Sequence, residues 1–230
     1  NLADTLQQQR KLIDAEYYAR EALQLGLDNF GRNSAEVGRA LTVMSKVVSE
    51  QGRFPEAVLL ARAALAAQRE SGLSDESRPV AMSRKFYATA LVADGQYQEA
   101  DQVFNQMLEY LKRDPQLASG FRIDDLDWVL AMQKIGKQAP ALEMVTRMLR
   151  ETEAQSGKSA SRTALVRAFQ AVSLQNTGNH AGAQAAFREA APILVDQARN
   201  DAENDTASLK QQQRTTYLFE NYLALLAQVA

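Results

Sequence analysis

Small and apolar residues recur along this chain at steps of three and four, the spacing that places side chains on one face of an α-helix. Short stretches rich in glycine, serine and charged residues separate these segments, which fall into pairs. The pattern predicts helical hairpins over residues 1–9 with 12–29, 34–51 with 54–72, 77–94 with 97–113, 121–136 with 139–156 and 159–177 with 180–200. One further helix is predicted over 206–229, so the predicted fold class is all-α.

The predicted hairpins repeat about every 42 residues. A glycine stands at four of the predicted turns and an alanine follows five residues later, as in Gly52 with Ala57, Gly95 with Ala100, Gly136 with Ala141 and Gly178 with Ala183. Ala15 marks an earlier copy, in which Arg10 replaces the glycine. Glycine adopts the backbone conformation that ends a helix, and alanine lets two helices approach closely. The spacing therefore predicts a solenoid of about five helical hairpins plus a C-terminal helix.

This pattern resembles the tetratricopeptide repeat, in which a glycine and an aromatic residue form the turn and an alanine follows on the second helix. The best copies are residues 52–57, Gly-Arg-Phe-Pro-Glu-Ala, and 95–100, Gly-Gln-Tyr-Gln-Glu-Ala. The long repeat, together with the linker at 25–41, resembles the arrays of kinesin light chains and those that precede CHAT protease domains in bacteria. The resemblance implies a right-handed α-α superhelix that binds a peptide or a partner protein in its concave groove.

We expect residues 1–230 to form a single domain of this kind. Its repeats are expected at 1–30, 34–73, 77–114, 121–156 and 159–200, with the C-terminal helix over 206–229. Because the chain begins at Asn1 inside a predicted helix, we expect it to be a fragment of a larger protein. By analogy with the CHAT-associated arrays, partner binding is expected to regulate a downstream domain such as a protease.

Composition excludes several classes of partner. The net charge is -2, so the chain lacks the basic footprint of a nucleic-acid-binding protein, and its apolar runs are too short for a membrane helix. No cysteine is present, which removes disulfides and thiolate metal sites. This composition fits either the cytoplasm or the periplasm and does not choose between them.

The polar residues form no catalytic constellation. His180 is the only histidine and is interpreted as a turn residue. Asp124, Asp125 and Asp127 could bind a cation, but acids at the start of a helix also complement its dipole, which is the role we predict. We therefore predict no enzyme activity, no cofactor and no metal site.

The sequence also predicts the structural role of two residues inside predicted helices. Trp128 lies at an apolar position of its helix and is interpreted as a core residue, the alternative being a residue that reaches a binding surface. Pro192 lies late in a second helix, which it should kink or end.

The candidate binding site follows from the phase of the repeat, since the first helix of each hairpin lines the groove of such arrays. The predicted groove residues are Arg39, Thr42, Lys46, Glu50, Lys85, Thr89, Gln133, Lys134, Gln175 and Asn176. Four of these ten are basic and one is acidic, which favours an acidic segment or a C-terminal carboxylate as the ligand. The alternative is a solvated face whose charges only keep the array soluble.

The predicted last helix is apolar on more than one face. Its predicted interface residues are Tyr217, Phe219, Tyr222, Leu223 and Leu226. We expect this helix to pack beneath a following segment, the alternative being that it simply closes the array. In isolation, such a face should favour a homodimer. The alternative function is thus a structural or oligomerisation spacer that acts through the C-terminal helix.

Overall fold

The structure is a computed structural model that describes residues 2–9, 11–119, 121, 124–203 and 208–229. These residues form twelve helices and no strand, which confirms the all-α fold class. They divide into two compact units, residues 1–123 and residues 124–230.

The first unit contains three hairpins and a short terminal helix. Its helices are α1 (Leu2–Gln8), α2 (Leu12–Phe30), α3 (Ala35–Glu50), α4 (Phe54–Glu70), α5 (Arg78–Ala93), α6 (Tyr97–Arg113) and α7 (Pro115–Ser119). Consecutive helices from α1 to α6 pack against one another, and α3 also packs against α5. The first helices of neighbouring hairpins therefore lie side by side.

The second unit contains two hairpins and a long C-terminal helix. Its helices are α8 (Leu126–Lys134), α9 (Gln138–Ser156), α10 (Ser161–Asn176), α11 (His180–Glu203) and α12 (Leu209–Val229). Helix α10 packs against α8, α9 and α11, while α12 packs against α10 and α11.

The turns inside the hairpins share one geometry. Gly52, Gly95, Gly136 and Gly178 have φ between 78° and 83°, the left-handed region that glycine enters without steric cost. The residue after each glycine donates its N–H to a carbonyl five residues earlier, at 2.8–3.0 Å. This bond satisfies a carbonyl that the end of the helix leaves unpaired, so each repeat closes its first helix in the same way.

The alanines of the repeat lie where the two helices of a hairpin meet. Ala15, Ala57, Ala100, Ala141 and Ala183 are all fully buried. A larger side chain at these positions would push the helices apart, because packed interiors leave few voids. The core of each hairpin is completed by apolar residues one or two turns further on, such as Phe104, Val145 and Phe187.

The structure differs from the predicted elements in three places. Helix α8 begins at Leu126 rather than 121, because Asp125 caps it by accepting the N–H of Asp127 at 2.9 Å. The short helix α7 was not predicted. Helix α11 continues to Glu203, so Pro192 does not end it. The predicted start of the last helix, at 206, lies outside the described residues.

Candidate functional site

The first helix of each hairpin, here called helix A, turns one side toward its partner helix and another away from it. In α3 the partner side contains Ser45, whose hydroxyl donates to the carbonyl of Ala57 on α4 at 2.8 Å. Thr42 and Lys46 lie on a different side, which we call the helix-A face. Thr42 Oγ1 lies 3.3 Å from Ser83 Oγ on α5, so this face adjoins the next helix A.

In the first unit, two lysines of the helix-A face lie over aromatic rings. Lys46 Nζ is 5.2 Å from the centroid of the Phe86 ring and 2.6 Å from the carboxylate of Asp4. Lys85 Nζ is 6.0 Å from the centroid of the Phe121 ring. A cation over an aromatic face gains about 0.5–1 kcal/mol at an exposed site. These rings therefore restrain both lysines while leaving the side chains half-buried rather than enclosed.

The other predicted groove residues of the first unit differ in exposure and in their hydrogen-bond or ion-pair partners. Thr89 is half-buried and donates its hydroxyl to the carbonyl of Phe86 at 3.0 Å, within its own helix. Arg39 is exposed and pairs with Glu36 at 2.8 Å, while Glu50 is half-buried at the last residue of α3. The polar centre of this face is thus formed by Thr42, Lys46 and Lys85.

In the second unit, Gln133 does not occupy the open position that its repeat phase predicts. It is buried, and its amide nitrogen donates to the carbonyl of Phe169 at 2.9 Å and to Ser173 Oγ at 2.8 Å. Its amide oxygen accepts the hydroxyl of Tyr217 at 3.1 Å. Gln133 is thus enclosed by α10 and by the Tyr217 side chain of α12 rather than open to a ligand in the free chain.

The remaining groove residues of the second unit lie near helix ends. Lys134 is exposed at the last residue of α8, with Nζ 4.4 Å from the centroid of the Tyr217 ring. Gln175 is half-buried and Asn176 is exposed in the last turn of α10. Lys134 and Gln133 thus share the side chain of Tyr217 as a neighbour.

A buried carboxylate attaches α12 to α8. The side chain of Asp127 is only 4% exposed; it accepts from Lys210 Nζ at 3.1 Å and from the guanidinium of Arg214. Burial alone raises the pKa of Asp127, but the charges of Arg214 and Lys210 outweigh it and lower the pKa from 3.8 to about 2. Asp127 is therefore ionised at neutral pH and neutralised by two cations of the C-terminal helix.

The predicted interface residues of α12 divide into two groups. Tyr222 stacks on Phe187, with ring centroids 4.7 Å apart, and Tyr217 faces Phe169 at 6.3 Å. Phe219 is half-buried. Leu223 and Leu226 are exposed by 64% and 38%. Of the five predicted interface residues, these two leucines are the exposed ones.

The acidic cluster separates into three structural roles. Asp124 accepts two hydrogen bonds from Arg147, each 2.7 Å long, Asp125 caps α8, and Asp127 binds α12. No group of three metal-ligating side chains occurs among the described residues. His180 is exposed at the start of α11, and Trp128 is buried as its periodicity predicts.

Sequence reasoning missed the partnership of Asp127 with Lys210 and Arg214. Asp127 stands nine residues before Gly136, where the other repeats have Val43, Phe86 and Phe169. A carboxylate at an apolar position of the repeat signals a buried cation nearby, because an unpaired buried charge is too costly. The two basic residues one helical turn apart on α12 supply that cation.

Known proteins show the same architecture. Residues 1–70, which span α1 to α4, match the sequence model of the tetratricopeptide repeat family. The nearly identical TPR-like repeats of a candidate kinesin light chain from Podosopora anserina superpose with a TM-score of 0.61 at 18% identity, covering 86% of this chain and 94% of that one. BtubC (BKLC) from P. vanneervenii superposes at 0.56 and 16% identity, covering 94% and 91%. No curated protein matches the sequence significantly.

The chain therefore has a TPR-like fold of the kinesin-light-chain type, which confirms the resemblance to the tetratricopeptide repeat and to kinesin light chains. This fold is typically a non-enzymatic scaffold for protein–protein interaction. Among the described residues, no helix combines the length and the hydropathy that a membrane crossing requires.

Proposed function

We propose that this chain is a protein-interaction module and that the helix-A face of its first unit binds an acidic peptide segment of a partner protein. The observation that carries the proposal is the pair of restrained lysines, Lys46 over Phe86 and Lys85 over Phe121. The ion pair between Asp4 and Lys46 supports a carboxylate as the ligand at this position.

The repeat phase gives the proposed site its regularity. Thr42 and Lys85 each stand ten residues before the turn glycine of their hairpin, and Lys46 and Thr89 each stand six residues before it. Cation and hydroxyl therefore alternate between neighbouring helices, and an extended segment could meet a lysine on each helix in turn. Exposed ion pairs contribute only about 0.2–1 kcal/mol each, so the ligand also needs an apolar side chain.

Charge reversal tests this proposal. Acidic peptides that contain one aromatic residue are titrated against the full chain and against K46E/K85E, with binding measured by fluorescence anisotropy. Replacing two attractive pairs by two repulsive ones should weaken binding at least about tenfold. The matched control K112E/R113E makes the same charge change in α6 and should bind like the unmodified chain. Equal affinities for all three proteins contradict the proposal.

The resemblance to bacterial arrays extends this proposal from binding to regulation. Regulation of a downstream domain, such as a CHAT-type protease, would couple such binding to activity. This extension rests on the resemblance to arrays that precede those domains.

The exposed leucines of α12 favour a second candidate function, a structural spacer that associates through its C-terminal helix. Leu223 and Leu226 stand one turn apart on the exposed side of α12. Light scattering coupled to size exclusion separates the two functions. A concentration-dependent dimer that L223E/L226E converts to a helical monomer supports the spacer, whereas monomers in both cases contradict it.

A further inference from the structure

The helix-A face of the second unit is occupied by a helix of the same chain. Helix α12 places Lys210 and Arg214 against Asp127 and the Tyr217 hydroxyl against Gln133. The Asp127 carboxylate and the Gln133 amide oxygen, which accept these bonds, both belong to α8, the first helix of its hairpin. The contacts progress in the same direction along both helices, from 127 to 133 on α8 and from 210 to 217 on α12. Helix α12, which packs against α10 and α11, therefore also reaches α8 through the side chains of its first turns, with its two cations on the carboxylate.

The spacing of these contacts defines a chemical pattern. Lys210, Arg214 and Tyr217 stand at positions i, i+4 and i+7, which lie on one side of a helix. Leu218 adds an apolar side chain next to the tyrosine and is 1% exposed. The face thus accepts two cations one turn apart, then an aromatic hydroxyl and a leucine.

Polar contacts form a large part of this attachment. Among the described side chains of α12, only Leu218 and Leu225 are buried, whereas nine residues of α10 are buried. The rings of Tyr217 and Tyr222 add half-buried contacts with Phe169 and Phe187, and the cost of ordering the helix offsets part of what this apolar burial contributes. A helix held in this way can be exchanged for another of the same pattern, provided that the competitor supplies the cations.

We propose that the helix-A face of α8 and α10 is a binding site for a basic amphipathic helix of a partner protein, and that α12 is its intramolecular occupant. The partner helix carries two cations at i and i+4, an aromatic residue at i+7 and a leucine at i+8. It displaces α12 and takes Asp127 and Gln133 as its polar contacts. This inference rests on the proposed interaction function but assigns a different face and the opposite ligand charge.

Tethering explains why the site is closed in the free chain. A segment attached by a short linker acts at an effective concentration in the millimolar range, so a free helix at micromolar concentration competes poorly. Weakening the tethered helix should therefore reveal binding of the same sequence supplied as a separate peptide.

The experiment uses the full chain and a fluorescein-labelled peptide with the sequence of residues 208–229. The variant K210E/R214E reverses the two cations of α12, and the control K112E/R113E makes the same change in α6. Fluorescence anisotropy should show the peptide binding K210E/R214E at least about tenfold more tightly than the unmodified chain or the control. Adding D127K to K210E/R214E should remove this binding.

Two further measurements keep the result interpretable. The milder K210Q/R214Q variant should give an intermediate affinity, and the fluorescence of Trp128, the only tryptophan, verifies that the second unit remains folded. Equal peptide affinity for folded K210E/R214E and the unmodified chain would overturn the inference. Binding of the acidic peptide, measured in the same samples, depends on Lys46 and Lys85, so failure of one proposal is distinguishable from failure of the other.

Discussion

The helix-A faces of the two units differ although the same repeat builds both. In the first unit, position nine before the turn glycine is Phe86 on α5, and its ring lies beneath a half-buried lysine. In the second unit, the same position on α8 is Asp127, which is buried beneath a lysine and an arginine of α12. The residue at this phase of the repeat is thus an aromatic ring beneath a lysine on α5 and a carboxylate beneath two cations of α12 on α8.

The largest expected effect comes from removing the buried carboxylate. D127A leaves Lys210 and Arg214 without their counter-charge, and breaking a buried pair in this way costs about 3–5 kcal/mol. Urea unfolding followed by Trp128 fluorescence measures this loss in the second unit. E143A, which removes an exposed acid 3.8 Å from Arg147, is the control and should cost about 1 kcal/mol or less. A similar cost for both variants would mean that charge does not hold α12.

Acid should also lower the free energy of unfolding, by a smaller amount, because it protonates Asp127 and removes its charge. The folded pKa of Asp127 lies below its ordinary value, at about 2 instead of 3.8, so its stabilisation is present above pH 3.8 and disappears as the pH falls through 2. Linkage gives a loss on the order of 2 kcal/mol. The urea midpoint from Trp128 fluorescence should be flat from pH 7 to 5 and then decline. D127A should lack this decline, and an equal decline in D127A would assign it to other groups.

Gly38 offers a comparable test of the first unit. A Cβ at this position would lie 2.4 Å from Cγ of Gln68 and 3.1 Å from the carbonyl of Ala64, so G38A should push α3 away from α4. We expect a net loss of about 1–2 kcal/mol, because overpacking outweighs the better helix propensity of alanine. Urea unfolding followed by far-UV circular dichroism provides the measurement.

Gly182 is the matched control for that change. Its nearest neighbours are the side-chain atoms of Asn179, which is exposed and accepts the N–H of Gly182 at 2.9 Å. Displacing this cap costs about 0.5–1 kcal/mol, which the better helix propensity of alanine offsets, so G182A should be close to neutral. If G38A were equally neutral, the contact between α3 and α4 would be looser than the structure indicates.

The smallest expected effect concerns a single hydrogen bond. Y217F removes the hydroxyl that Gln133 accepts and should cost about 1 kcal/mol, measured by Trp128 fluorescence in urea. Y222F keeps the ring that stacks on Phe187 and should change stability by less than about 0.5 kcal/mol. A larger loss of stability for Y222F than for Y217F would mean that the hydroxyl of Tyr222, rather than that of Tyr217, holds α12.

The sequence predicts the fold well because its signals are local. Each glycine ends its own helix, and each alanine marks the contact within its own hairpin, so element positions follow from spacing alone. The start of α8 was misplaced because its capping residue, Asp125, lies among acids that also suit an uncapped helix start.

The candidate site is less predictable because it depends on contacts between distant residues. Gln133 has the right phase for an open face, but residue 217, far along the chain, decides that it is buried. Repeat phase locates a face without revealing what lies on it. The partner-binding roles of the groove residues stay predictions until the experiments above are done.

The shared turn geometry allows scaffold and specificity to be encoded separately. The turn glycines and hairpin alanines set the repeat, and no proposed ligand-binding residue of the first unit occupies either position. New partners could therefore be acquired there by substitution on the helix-A face without altering the architecture. In the second unit, Asp127 and Gln133 are both proposed ligand contacts and attachment points of α12. A substitution there that changes specificity would therefore also change how the last helix is held.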